Sequence, residues 1–280
     1  MSLDLLPIHP SQGGAGDSIS RRDGSQPKPA WLKVPLPGGE EYSRLKNMTR
    51  ELKLNTVCEE ARCPNMGECW SGSQATMTLM VLGDECTRRC RFCAVKTVDA
   101  AAAPDPDEPK NVGVAIGELN LGYVVITSVD RDDLEDGGAA HYAECVREIH
   151  QRSSRTIVET LIPDYTGEPL ATLMEAEPEV LAHNVEVVPR LQRKIRDPRC
   201  SFERSLETLA GARALSKEVV TKSSLMLGLG EEHDEVIESM ERLRGAGCEL
   251  LTLGQYLRPS KQHAPVIEYI TPERFEEYRT

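Results

Sequence analysis

Short apolar runs alternate with helix-like stretches, and this alternation most constrains the fold of the chain. From Met77 onward each run has the length of a buried strand, and several runs are rich in Val and Ile, as expected of parallel strands covered on both faces. Repeated strand–helix units require right-handed crossovers and a parallel sheet. Six strands are predicted, at Met77–Leu82, Tyr123–Val129, Thr156–Ile162, Val180–Val187, Val219–Leu227 and Leu250–Tyr256.

The stretches between these strands have helical spacing. Leu206 and Leu209 fall on one face of residues 201–215, and Val236 and Met240 fall on one face of residues 236–243. Six such units predict an α/β fold, an open and partial (β/α)6 barrel with its chemistry at the carboxyl ends of the strands. A doubly wound sheet is the alternative, but the glycines after the strands do not form the G-x-G-x-x-G pattern of a dinucleotide fold.

The bulk composition excludes some classes of function. A net charge of -12 argues against general nucleic-acid binding, and no apolar run approaches the ~20 residues of a membrane span. Residues 1–30 are rich in Gly, Ser, Pro and Asp and are predicted to be a disordered arm, without the apolar region of a secretory signal. We therefore expect a cytoplasmic location, or an organelle matrix if the source is eukaryotic.

The cysteines are unevenly placed, which indicates metal binding. Cys86, Cys90 and Cys93 have the spacing C-x3-C-x2-C directly after the first strand. Three thiolates on one loop can hold three irons of a [4Fe–4S] cluster and leave the fourth iron open to a small molecule. Zinc is the alternative, but zinc usually requires four ligands in paired C-x2-C units. Three scattered cysteines are expected to be non-ligand thiols: Cys145, Cys200 and Cys248.

A second cysteine cluster precedes the first strand. Cys58, Cys63 and Cys69 have the spacing C-x4-C-x5-C. On spacing alone, the cluster fits either a further iron–sulfur centre or zinc with a distant fourth ligand.

Both cysteine clusters resemble those of a known family. The spacing of Cys86, Cys90 and Cys93, with the aromatic Phe92 before the last cysteine, resembles the signature of the radical S-adenosylmethionine superfamily. Residues 55–65 and 67–70 resemble the auxiliary-cluster motif of the lipoyl synthases. The likeness continues at Thr127–Leu134, Ala182–Val185, Leu227–Glu231 and Gln255–Ser260. The resemblance implies an auxiliary-cluster segment at residues 31–71 and a radical-enzyme core, a partial barrel, at residues 72–280.

The resemblance also implies the reaction. Two [4Fe–4S] clusters are expected, one on Cys86, Cys90 and Cys93, and the other, the sacrificial sulfur donor, on Cys58, Cys63 and Cys69. S-adenosylmethionine is the expected cosubstrate, and its 5′-deoxyadenosyl radical abstracts hydrogen at C6 and C8 of an octanoyl-lysine before sulfur is inserted. The expected partners are an octanoylated lipoyl carrier domain, of the glycine cleavage H protein or 2-oxoacid dehydrogenase E2 type, and a ferredoxin or flavodoxin reductant. The alternatives are another radical enzyme with an auxiliary cluster and a non-catalytic iron–sulfur protein.

One part of the family pattern is absent. In this family a C-terminal Arg-Ser-Ser-Tyr motif supplies a serine ligand to the auxiliary cluster, whereas the sequence given stops at Thr280 without it. We therefore expect an auxiliary cluster with three ligands from these residues and a deficiency in sulfur insertion.

Several polar residues and glycines on or after the predicted strands are candidate contacts to S-adenosylmethionine. A polar side chain in a mainly apolar strand must find a partner or lose a few kcal/mol, roughly, to desolvation, although each could instead point outward into a helix interface. The glycines allow close backbone approach to the adenine or serve a tight turn with positive φ. The candidates are Glu159, Asn184, Lys222, Gly228, Gly230 and Glu231.

Three further features have open interpretations. Residues 130–133, which carry three aspartates and Arg131, form either a substrate loop or a solvated charged loop. His183 is expected to be packed or hydrogen-bonded and not a ligand. A basic run fits either a solvated helix face or a docking site for an acidic partner protein, and it consists of Arg190, Arg193, Lys194, Arg196 and Arg199.

Overall fold

The computed structural model describes residues 28–32, 38, 40–60, 66 and 77–279. Most of the predicted arm lies outside these residues, as do Cys63 and Cys69. The described strands are β1 (Asn55–Thr56), β2 (Thr78–Val81), β3 (Glu85–Cys86), β4 (Lys96–Thr97), β5 (Tyr123–Ser128), β6 (Ile157–Leu161), β7 (Val180–Ala182), β8 (Val220–Leu227) and β9 (Leu250–Gln255).

Helices occupy most of the connections between the strands. The described α-helices are α1 (Glu40–Glu51), α2 (Val57–Glu60), α3 (Glu108–Leu119), α4 (Ala139–Arg152), α5 (Glu168–Met174), α6 (Gln192–Ile195), α7 (Phe202–Leu215), α8 (His233–Gly245) and α9 (Pro272–Arg279). Short 3-10 helices lie at Ala30–Leu32 and Pro189–Leu191. Among the helices of the described ranges, none has the length and apolar character that a membrane crossing requires.

The main sheet confirms the predicted partial barrel. Its strand order is β1-β2-β5-β6-β7-β8-β9, and the pairs from β2 to β9 are all parallel. The six parallel strands are therefore the six that the sequence predicts, in chain order and without closure. A short antiparallel seventh strand, β1, pairs with β2 through Asn55 and Met80. This added strand holds the segment around Cys58 against the first barrel strand.

Burial explains why the strands form where the apolar runs lie. Val124 and Ile126 of β5, Val158 of β6 and Leu181 of β7 have no exposed surface. In β8 the residues alternate strictly between half-buried and buried, which is the period-2 pattern of a strand with two different faces. The helix α7 begins where expected, because the Ser201 side chain caps it by accepting a hydrogen bond from the Arg204 N–H.

The predicted boundary of the fourth parallel strand is wrong. The sequence predicts a strand over Val180–Val187, but β7 ends at Ala182. Beyond Ala182 the ladder is interrupted, and the chain bonds to β8 again at Glu186, which has a positive φ of 65° and forms an isolated bridge to Leu225. The polar residues at 183, 184 and 186 therefore lie in a loop at the carboxyl end of the strand, not in the sheet.

Candidate active site

The loop that carries Cys86, Cys90 and Cys93 lies at the carboxyl ends of the parallel strands. Thr87 donates from its backbone N–H and its hydroxyl to the carbonyl of Asp130, which follows β5, and both distances are 2.9 Å. The Arg91 N–H donates to the carbonyl of Ile195, beyond β7, at 2.7 Å. The loop is therefore fixed to the connections that follow two other barrel strands, at the edge where β/α proteins place their chemistry.

The three thiols of this loop are half-buried, and backbone N–H groups surround them. The Arg88 N–H donates to Cys86 Sγ at 3.4 Å, and the Asp197 N–H donates to Cys90 Sγ at 3.3 Å. Hydrogen bonds to sulfur stabilise thiolate ligands and tune an iron–sulfur centre.

The surroundings of these thiols keep them protonated unless a cation is bound nearby. Burial, followed by the Asp130 carboxylate, raises the pKa of Cys86 to about 12. The pKa of Cys90 is raised by a hydrogen bond to the Cys200 thiol and by burial, and the pKa of Cys93 is raised by burial. Three thiolates are therefore unfavourable here without a nearby positive charge, which an iron centre supplies.

The spacing of the sulfur atoms favours a cluster over one ion. Two sulfurs bound tetrahedrally to one zinc ion, each at about 2.3 Å, lie about 3.8 Å apart. Among the described residues, one set of three candidate ligands lies within 4.8 Å of one another, and it consists of Glu108, His141 and Cys145. The loop cysteines are not such a set, so at least one pair of their sulfur atoms lies more than 4.8 Å apart. Three thiol donors on one loop fit an iron–sulfur cluster.

A buried arginine holds the cysteine loop to two neighbouring loops. The Arg88 guanidinium, 9% exposed, lies 3.3 Å from Asp130, 2.8 Å from Asp132 and 2.8 Å from Asp164. Burial raises the pKa of Asp130 to about 6, although the positive charge of Arg88 acts to lower it. Ion pairs therefore join the aspartate loop at residues 130–133 to the cysteine loop, while Asp132 and Asp133 are exposed to solvent.

The rest of the aspartate loop is paired internally. Arg131 bonds to Asp133 at 2.8 Å and donates to the backbone carbonyl of Leu82 at 3.3 Å. The Arg131 side chain is almost fully buried, and it ties the loop after β5 to the end of β2.

Glu159 and Lys222 contact each other. Lys222 Nζ lies 2.8 Å from both carboxylate oxygens of Glu159, which also accepts a hydrogen bond from the Tyr123 hydroxyl. Tyr123 begins β5, and Glu159 and Lys222 are the third residues of β6 and β8. Glu159 is the middle residue of β6, and Lys222 is in register with Ala182, the last residue of β7. The charges of the pair are already compensated within the chain.

Asn184 lies at the site mouth together with a residue that sequence reasoning missed. Burial raises the pKa of the Glu186 carboxyl group, and the nearby Asn184 side chain acts in the opposite direction. The Glu186 charge in turn raises the pKa of Cys93. A positive φ on a non-glycine residue often marks a functional site. The sequence signal that could have identified Glu186 is a carboxylate within the mainly apolar run predicted to be a strand.

The glycine turn after β8 is shaped by the chain itself. Gly228 has a φ of 99°, and a Cβ atom there would lie 2.4 Å from Gln255 and 2.4 Å from the Glu268 carbonyl. Gly230 also has a positive φ, of 101°. The Glu231 carboxylate accepts hydrogen bonds from the N–H groups of Gly228 and Leu229. All three predicted residues therefore come together in one turn at the carboxyl edge.

The remaining cysteines and His183 occupy buried positions. Cys145 is fully buried and Cys248 is half-buried, whereas Cys200 lies beside the site and its Sγ is 3.3 Å from Arg88 Nη1. The His183 ring bonds to the Ile162 carbonyl at 2.9 Å and to the Ser205 hydroxyl at 2.8 Å. Cys58 is buried in α2, while Cys63 and Cys69 lie outside the described residues.

Two family models match the chain. Residues 80–243 match the model described as the radical SAM superfamily. Residues 11–63 match the model described as the N-terminal domain of lipoyl synthase of the Radical_SAM family.

Curated proteins are similar over most of the chain. A lipoyl synthase of Thermus thermophilus is 53% identical over 253 residues, which cover 90% of this chain and 78% of that protein. A mitochondrial lipoyl synthase of Sorghum bicolor is 51% identical over 267 residues, which cover 93% of this chain and 69% of that protein.

Solved structures share the fold at low sequence identity. A methylornithine synthase has a TM-score of 0.59 at 13% identity and covers 86% of this chain and 69% of its own. A maturase of the [FeFe]-hydrogenase has a TM-score of 0.57 at 12% identity and covers 86% of this chain and 54% of its own.

Proposed function

This chain belongs to the lipoyl synthase family of the radical S-adenosylmethionine superfamily, and from that premise we propose roles for its residues. It is a sulfur-inserting enzyme that uses [4Fe–4S] clusters and S-adenosylmethionine, and it acts on an octanoylated carrier. One observation supports the proposed site most strongly: three half-buried thiols on one loop lie at the carboxyl ends of an open parallel barrel.

Cys86, Cys90 and Cys93 are proposed to hold the catalytic cluster. When bound, that cluster supplies an iron without a protein ligand that binds S-adenosylmethionine and an electron that cleaves it. The chain contributes amide N–H groups that donate to Cys86 and Cys90. It also contributes Arg88, a positioning residue that ties the cysteine loop to the loops after β5 and β6.

The pocket for S-adenosylmethionine is proposed to lie between the loops after β7 and β8. Asn184 and Glu186 present polar groups at this mouth, next to Cys93. Gly228 and Gly230 form the facing turn, which Glu231 holds in shape through its two backbone hydrogen bonds. Direct contacts of Glu159 and Lys222 to S-adenosylmethionine stay a prediction, because each already has a partner in the other.

The auxiliary cluster is proposed to lie on Cys58, Cys63 and Cys69, within an N-terminal segment at residues 31–71 that precedes the radical core at residues 72–280. The family-model matches at residues 11–63 and 80–243 support this division. The pairing of β1 with β2 also supports it, because the pairing brings Cys58 to the edge of the barrel.

The specific partners are also proposals. We assign the carrier to the glycine cleavage H protein or the 2-oxoacid dehydrogenase E2 type, and the reductant to a ferredoxin or flavodoxin. Because the similar proteins include one from Thermus thermophilus and mitochondrial ones from plants, we propose the cytoplasm in a bacterial source and an organelle matrix in a eukaryotic one.

The test of the function is anaerobic turnover. The reconstituted protein, extended by a family-like C-terminal segment that bears Arg-Ser-Ser-Tyr, is mixed with S-adenosylmethionine, a reductant and an octanoylated carrier domain, and the intact mass of the carrier is measured. We expect the mass to rise by two inserted sulfur atoms, less the hydrogens removed. Cleavage of S-adenosylmethionine with an unchanged carrier mass would refute the proposed reaction.

A further inference from the structure

The basic run at residues 190–199 separates into paired and unpaired cations. Arg196 is buried and bonds to the Ser205 hydroxyl at 2.9 Å. Arg190 pairs with a glutamate of α8, and Arg199 pairs with aspartates of the site. The exposed side chains of Arg193 and Lys194 on α6 have no carboxylate partner within the described ranges. Arg190 and Arg199 are also exposed, but carboxylates of the chain already pair with them.

Two more exposed arginines join them. Arg91, between Cys90 and Phe92, donates from Nη1 to the Lys194 carbonyl at 3.2 Å. The Arg91 carbonyl accepts the Ala264 N–H at 2.8 Å, and Arg258 donates to the carbonyl of His263 at 3.0 Å. Three segments therefore meet beside the cysteine loop. We call their four cations the basic rim: Arg91, Arg193, Lys194 and Arg258.

The positive charges of the basic rim are not paired with carboxylates of the described residues. Arg91 and Arg258 donate hydrogen bonds to backbone carbonyls, and no carboxylate of the described residues pairs with any of the four cations. The whole chain carries a net charge of -12. The chain as a whole therefore repels an acidic protein at long range, whereas the basic rim attracts one.

We propose that the basic rim docks an acidic face of the carrier domain that presents the octanoyl-lysine. This inference rests on the proposed function, in which the acyl chain enters the barrel mouth while attached to a folded protein. Attraction at the rim orients the carrier beside the cysteine loop, and repulsion elsewhere disfavours other orientations. Four cations are few for a nucleic-acid partner, whose binding depends on neutralising many phosphates.

The test compares two substrates in the reconstituted enzyme. One is an octanoylated carrier domain with acidic residues around its lysine, and the other is a short octanoyl-lysine peptide without acidic residues. The variant R193E/K194E should raise KM for the carrier domain by about tenfold or more at low salt. It should leave turnover of the peptide and cleavage of S-adenosylmethionine unchanged, and 0.5 M salt should reduce the difference.

The matched control is R155E/K217E, which makes the same change in net charge. Arg155 and Lys217 are exposed and precede β6 and β8, at the amino ends of the strands. This variant should keep the wild-type KM for the carrier domain.

Distinct outcomes separate the docking proposal from the proposed function. Equal losses on both substrates, or an unchanged KM for the carrier, would overturn docking at the rim. Docking at the rim would also be overturned if the wild type bound a short RNA, R193E/K194E abolished that binding, and KM for the carrier stayed unchanged. Failure of the wild type on both substrates would instead count against the proposed function.

Discussion

Replacing Lys222 by Met tests whether the ion pair inside the barrel is structural. Lys222 Nζ lies 2.8 Å from both oxygens of Glu159, whose side chain is 4% exposed, whereas the Lys222 side chain is 29% exposed. Removing one partner of a buried pair typically costs 3–5 kcal/mol. Because Lys222 is partly hydrated, we expect Lys222→Met to lower the free energy of unfolding by about 3 kcal/mol, at the lower end of that range.

The control is the double variant K222M/E159Q, in which no charge is left unpaired. The glutamine still accepts a hydrogen bond from the Tyr123 hydroxyl, so most of the lost stability should return. Urea titration of the anaerobically reconstituted proteins, followed by circular dichroism, measures the stability. Equilibrium dialysis measures S-adenosylmethionine binding in parallel. If Lys222→Met unfolds like the wild type but binds S-adenosylmethionine tenfold more weakly, the pair serves the ligand and the structural account is wrong.

Three further changes test other parts of the site. Gly228→Ala should lower the free energy of unfolding by about 3 kcal/mol, because its Cβ would lie 2.4 Å from neighbouring atoms. Gly230→Ala has 3.6 Å of clearance, so it should lose only about 1 kcal/mol to backbone strain at its positive φ. Equal losses of stability in urea titration would refute the contact at Gly228. Burial lowers the pKa of His183 from 6.5 to about 4. Between pH 6.5 and pH 4 the unfolded chain therefore binds a proton that the folded chain does not, so the free energy of unfolding falls as the pH falls. His183→Gln should remove about 2 kcal/mol of the loss between pH 7.5 and pH 5, and an unchanged pH profile of unfolding would contradict this. Cys200→Ala should retain the iron of the wild type and Cys90→Ala should not, which iron analysis after reconstitution can decide.

Much of the fold was predictable because the decisive forces are local. The apolar runs that become β5, β6 and β8 are separated by helical spacing, and this alternation permits few topologies. The boundary of β7 was not predictable, because the mainly apolar run continues to Val187 although the strand ends at Ala182. The antiparallel β1 has only two residues, too few for a periodic signal.

The site was predictable only where its residues are adjacent in sequence. Spacing alone identified Cys86, Cys90 and Cys93, and the structure places them at the carboxyl edge. The role of Arg88 depends on carboxylates from two other loops, which no local pattern reveals. The pairing of Glu159 with Lys222 spans three strands of the barrel, so sequence reasoning could state only that each needed a partner.

The most direct test of the account compares two triple variants of the reconstituted protein. C86A/C90A/C93A and C58A/C63A/C69A are assayed anaerobically for iron, for cleavage of S-adenosylmethionine and for sulfur added to an octanoylated carrier domain. The account predicts that the first variant loses one cluster and all cleavage, while the second loses the other cluster, still cleaves S-adenosylmethionine and adds no sulfur. Cleavage that persists without Cys86, Cys90 and Cys93 would show that the radical cluster lies elsewhere.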